Sequence, residues 1–91
     1  MIESFNISET AEALGKSILT IRRWIDHDML PAPFLREVGG HAVMVYSKGE
    51  LEVIARVLSR HAGDYQYLCE KHDHVRHDMH QHVHAYRTQR M

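Results

Sequence analysis

A single cysteine, Cys69, occurs in the 91 residues. One thiol excludes an internal disulfide framework and a cysteine-built zinc finger, and it fits a reducing compartment. Long apolar runs are missing too: none approaches the length that spans a bilayer, and the N-terminus shows no secretory-leader pattern. A cytoplasmic protein away from membranes is expected. An excess of charge of one sign is also lacking. The formal net charge is −1, and residues 1–60 carry seven Lys and Arg against eight Asp and Glu. Composition alone therefore supplies no footprint for a polyanionic partner, and any footprint must come from where the cations stand. No nucleophile-and-base constellation is evident, and so short a chain offers no obvious cleft, so a non-enzymatic protein without a cofactor is expected.

The most informative stretch runs from Ser8 to His27. Ala11, Leu14, Ile21, Trp24 and Ile25 repeat at helical spacing if the phase resets near Gly15, which predicts two short helices sharing a small core. Ser8 is placed to cap the first helix, Gly15 to make a tight turn, and Ser17 to cap the second helix. With positions 21, 24, 25 and 28 at or near the core, Thr20, Arg23 and His27 form the opposite stripe. Lys16, Ser17, Ile18 and Arg22 flank it. Such a stripe suits a major groove, where arginine binds guanine O6 and N7 together and threonine reaches a base edge or a thymine methyl. An arbitrary helical hairpin accounts for the same residues.

Pro31 and Pro33 stop the second helix by Leu30. Met1 to Asn6 form an extended entry, and Phe5 and Ile7 flank Asn6 just ahead of the first helix, where an apolar residue can staple onto the helix or onto a later strand. Phe34 to Glu37 and Ala42 to Tyr46 are short β-prone runs on either side of Gly39-Gly40, which predicts a hairpin. Ser47 and Glu50 form a capping box ahead of a third helix with Leu51, Ile54, Ala55 and Leu58 on its inner side.

From about Phe5 to Leu58 the chain resembles the winged helix-turn-helix of the MerR superfamily, especially its small phage-associated members: AlpA-type regulators, excisionases and the DNA-binding domains of small terminase subunits. Leu14-Gly15, Ser17, Thr20 to Trp24, Leu30-Pro31, Gly39-Gly40-His41-Ala42-Val43, Tyr46-Ser47 and Leu51 carry the resemblance, in matching order. It implies a second helix in the major groove and a hairpin wing over the adjacent minor groove or phosphates. Many relatives place arginines after the Gly-Gly-His turn. Here Ala42 to Val45 is apolar, which leaves Arg36 and His41 as the wing's DNA contacts. Arg23 is then a base contact, Arg22 a phosphate or base contact and Lys16 a phosphate contact. Ile18 either packs or meets a thymine methyl. Trp24 is read as core, and Tyr46 as packed beneath the hairpin.

Beyond Arg60, Gly63 and Asp64 mark a break. Tyr65, Leu68, His72, Val75, Met79, His82 and Tyr86 then follow at spacings of three and four, a heptad seam that predicts a long helix paired with a second copy. An alternative seam runs through Val83, and packing against the chain's own domain is the competing reading. Seven of the nine histidines fall between His61 and His84. Asp73, His77, His80 and His84 lie on one stripe with metal-ligand spacing, although solvated surface explains them more simply.

The expected fold is thus mostly α with a small β-hairpin wing: a winged helix-turn-helix over residues 1–60 and a C-terminal helix over 61–91 for dimerisation or higher oligomerisation. The expected function is sequence-specific binding of double-stranded DNA by a phage or prophage regulator or recombination directionality factor. Two alternatives stand beside it: a small terminase-like packaging adaptor, and a protein-interaction module that has lost DNA binding.

Overall fold

The computed structural model describes residues 4–61 and 73–89. In chain order these form β1 (Ser4–Asn6), α1 (Ile7–Leu14), α2 (Ile18–Asp26), β2 (Phe34–Val38), β3 (His41–Ser47), α3 (Lys48–Arg60) and α4 (Asp73–Gln89). The fold is mostly helical, with a three-stranded antiparallel sheet of order β1-β3-β2. No helix among the described residues is long and apolar enough to cross a membrane.

Local chemistry sets most of the boundaries. The first helix opens one turn-fragment earlier than Ser8 suggests. Asn6 is its cap: the Asn6 side chain accepts from the Glu9 N–H at 2.8 Å, and the Glu9 carboxylate accepts from the Asn6 N–H at 3.0 Å. Ser8 lies inside the helix. Gly15 ends α1 with φ +68°, a left-handed conformation that glycine adopts without a Cβ clash. Ser17 caps α2, and Ser47 with Glu50 forms the capping box of α3. Gly39 and Gly40, with φ of +56° and +83°, make the two-residue turn that pairs Val38 with His41. The entry strand settles on the sheet, Phe5 opposite Tyr46.

One core cluster gathers Ala11 of α1, Ile21 and Trp24 of α2, Met29 and Leu30, Tyr46 of β3, Leu51, Ile54, Val57 and Leu58 of α3, and Val75, Met79 and Val83 of α4. Two inward assignments change. Ala55 is exposed and Val57 takes its place, because the inner face of α3 continues from Ile54 by a step of three. Asp28 is exposed, with φ +60°, and Met29 and Leu30 fill the core beside α2 instead.

The tail requires a larger correction. Val75 and Met79, read as a seam for a second copy, are completely buried within the chain, and the buried stripe continues to Val83 rather than to His82. Helix α4 lies against α3. A spacing of four along α4 lines up one side of the helix, and α3 covers that side. Tyr86 meets α3 at Gly49. Tyr65, Leu68, His72 and the Gly63-Asp64 break lie outside the described residues.

Candidate nucleic-acid interface

Helix α2 is two-sided. Ile21 and Trp24 are buried, and the turn of residues 15–17 sets α2 against α1. The outer side carries Ile18, Leu19, Arg22, Arg23 and His27, all exposed. Arg22 and Arg23 have no hydrogen-bond or ion-pair partner among the described residues, so both guanidinium groups keep their full donor capacity. Ile18 projects outward rather than packing. Ser17 and Thr20 are occupied with the helix start: the Ser17 hydroxyl accepts from the Thr20 N–H at 3.1 Å and donates to the Thr20 hydroxyl at 2.9 Å. Thr20 is half-buried, and so is Lys16 at the turn. His27 is the C-terminal cap of α2, its N–H donating to the Arg23 carbonyl at 2.9 Å.

Residues 27–33 lead from α2 to the hairpin. The Met29 N–H returns to the Trp24 carbonyl at 2.7 Å, closing the end of the helix. The Tyr46 hydroxyl donates to the Pro31 carbonyl at 2.5 Å, so the base of the hairpin is fastened to the exit of α2. Burial pushes the Tyr46 phenol well above its ordinary range, so it stays a donor at any working pH. In the hairpin, directly opposed residues share a face. Arg36 and His41 therefore lie on the face that carries Phe34 and Val38, and all four are exposed. The Arg36 Nη1 donates to the Ser4 hydroxyl at 2.6 Å, which steadies that cation beside β1. Leu35 and Met44 pair on the other face and are also exposed.

A second polar cluster joins α4 to this frame. Glu50 is only 1 % exposed; one carboxylate oxygen accepts from the Ser47 N–H at 2.8 Å and the other from Arg87 Nε. Arg87 also donates from Nη2 to the Ala32 carbonyl at 2.9 Å and lies 4.3 Å from the centroid of the Phe34 ring. Further along, Asp78 receives His61 at 2.8 Å, His82 at 2.9 Å and Arg60 at 3.1 Å. The hydrogen bond from His61, with the charges of His82 and Arg60, holds its carboxyl below the usual aspartate value.

Three members of the candidate metal stripe share one surface, and the side chain of the fourth, Asp73, lies outside the described ones. His77, His80 and His84 line one open groove with Gln81, but the His80 Nε2–H donates to the Asp28 carbonyl at 2.7 Å. Among the described residues no group of three or more His, Cys, Asp or Glu side chains is arranged to hold a metal ion.

The sequence reading passed over Leu19, 60 % exposed on α2, and Leu35, 70 % exposed on β2. Leu19 had a signal, since positions 19, 22, 23 and 26 form one helical side. Leu35 had one as well, because an alternating strand with no element covering its outer end leaves both faces open. Glu50 was recognised as a cap but not as a buried charge, because Arg87, which neutralises it, lies 37 residues away. The chain matches no protein-family model, no curated protein and no solved structure.

Proposed function

We propose that the chain binds double-stranded DNA sequence-specifically, as a transcriptional regulator or recombination directionality factor of phage or prophage type. In this reading it is a winged helix-turn-helix: α2 enters the major groove and the β2–β3 hairpin is the wing beside it. One observation carries the reading. Arg22 and Arg23 stand on the outer side of a short capped helix whose inner side holds Ile21 and Trp24 in the core, and no acidic partner among the described residues engages them. Cations placed in this way do the work that a net charge of −1 leaves undone.

The test is fluorescence anisotropy with random genomic duplex DNA at about 50 and about 200 mM salt. Binding at the lower salt that weakens steeply at the higher supports the reading, and no binding at the lower salt overturns it.

A second reading has its own support. Ile18 and Leu19 on α2, and Phe34, Leu35, Val38 and Met44 on the two faces of the hairpin, are large apolar side chains left exposed, and exposed apolar side chains of this kind suit a protein partner. A chain that ignores duplex DNA at low salt is to be read as an interaction module.

A further inference from the structure

We propose that α4 is a splint that holds the wing at a set position relative to α2, with Arg87 as the positioning residue. Its consequence for affinity rests on α2 and the wing being the DNA-binding face.

The linker of residues 27–33 belongs to no helix or strand, yet three of its carbonyls are held from outside. Tyr46 holds that of Pro31, and α4 holds two others: His80 takes the Asp28 carbonyl at 2.7 Å, and Arg87 takes the Ala32 carbonyl at 2.9 Å. His80 and Arg87 are seven residues apart, which places them on one side of the helix and about 10 Å from each other. A stiff rod thus touches the linker near both ends. Arg87 carries the restraint into the wing itself, since its guanidinium also covers the ring of Phe34, the first residue of β2. The rod is anchored on α3 at three places: Gly49 beneath Tyr86, Glu50 on Arg87, and Arg60 with His61 on Asp78.

A protein that contacts a groove and neighbouring phosphates at once gains from both only when the second contact is already in position. A loose wing must be ordered at the moment of binding, and affinity falls. Arg87 therefore governs affinity without touching DNA.

Two variants of the full chain test this. Arg87→Lys keeps a cation for Glu50 but loses the planar fork that reaches Ala32 and Phe34. Arg87→Met with Glu50→Gln removes the tether without leaving a buried charge unpaired. Amide hydrogen exchange and binding to random duplex are read on each. The expected result is severalfold faster exchange in β2 and β3 with α3 unchanged. Affinity is expected to fall about tenfold with the salt slope unchanged, because the same phosphates are neutralised in the complex.

Unchanged exchange in the wing overturns the splint, whatever the DNA result. Faster wing exchange with unchanged affinity overturns its part in binding. A wild-type chain that fails to bind duplex at low salt overturns the DNA reading and with it the consequence for affinity, while the exchange comparison still decides the splint.

Discussion

Gly49 and Tyr86 compete for one volume: a Cβ on residue 49 would fall on the phenol oxygen and ring carbon of Tyr86. The helix start would otherwise favour alanine over glycine. At this position the preference should reverse, because the ring must swing away and lift the end of α4. Gly49→Ala is expected to lower the stability of the chain by about 1–3 kcal/mol in urea unfolding. Pairing it with Tyr86→Ala should make the second substitution less harmful than it is alone, and strictly additive effects would show that the two residues are not in contact.

Glu50 is a buried carboxylate whose charge is balanced by Arg87 from the far end of the chain. Removing the cation alone leaves a charge in a poorly solvated place. Arg87→Ala should therefore cost on the order of 3 kcal/mol in urea unfolding. The Arg87→Met, Glu50→Gln pair should regain most of it, since both charges leave together. Equal losses from the single and double variants would mean that packing of the Arg87 stem, not charge, holds α4 down.

Asp78 makes the docking of α4 sensitive to acid. Its carboxyl is held below the ordinary aspartate value by the His61 hydrogen bond first, with His82 and Arg60 adding charge. A lowered folded-state value means that the contribution is fully present above the unfolded-chain value of about 3.9 and is lost as pH falls through the folded value. Asp78→Asn should be less stable than wild type at pH 6, and the two urea midpoints should converge on acidification. A gap that persists below the folded value would assign the effect to shape rather than charge.

The parts of the fold that are written locally could be read from the sequence, and the parts that depend on distant partners could not. Gly15, Ser17, Gly39-Gly40 and the Ser47–Glu50 box act over two to four residues, so their chemistry is visible in a short window. Even there, two residues competed for one cap: Ser8 and Asn6 both suit the start of α1, and the Glu9 that selects Asn6 lies three residues on. Helix α4 marks where local reading ends. A stripe at spacings of three and four specifies which side of a helix is apolar, but not whether a second copy or α3 covers it. Val75, Met79 and Val83 decide this only through contacts with a helix many residues earlier in the chain. The same distance hid Arg87. Its partners Ala32, Phe34 and Glu50 lie between 37 and 55 residues away, and an arginine near the end of a polar helix carries no sign of them.

Arg23 and Arg36 should separate two kinds of DNA contact. Arg23 projects from the outer side of α2 and Arg36 is steadied by Ser4 on the hairpin; in the proposed winged reading the first meets base edges and the second lies along the backbone. Arg23→Ala should cost about 1–3 kcal/mol on the preferred site and little on random duplex, so discrimination narrows. Arg36→Ala should weaken both by the same factor and make the salt slope shallower by about one. Binding to a selected site and to random duplex, each across a salt series, distinguishes the two patterns. If Arg36→Ala narrows discrimination and Arg23→Ala changes only the slope, the hairpin is the base-reading element and α2 lies on the phosphates, which reverses the roles assigned to them.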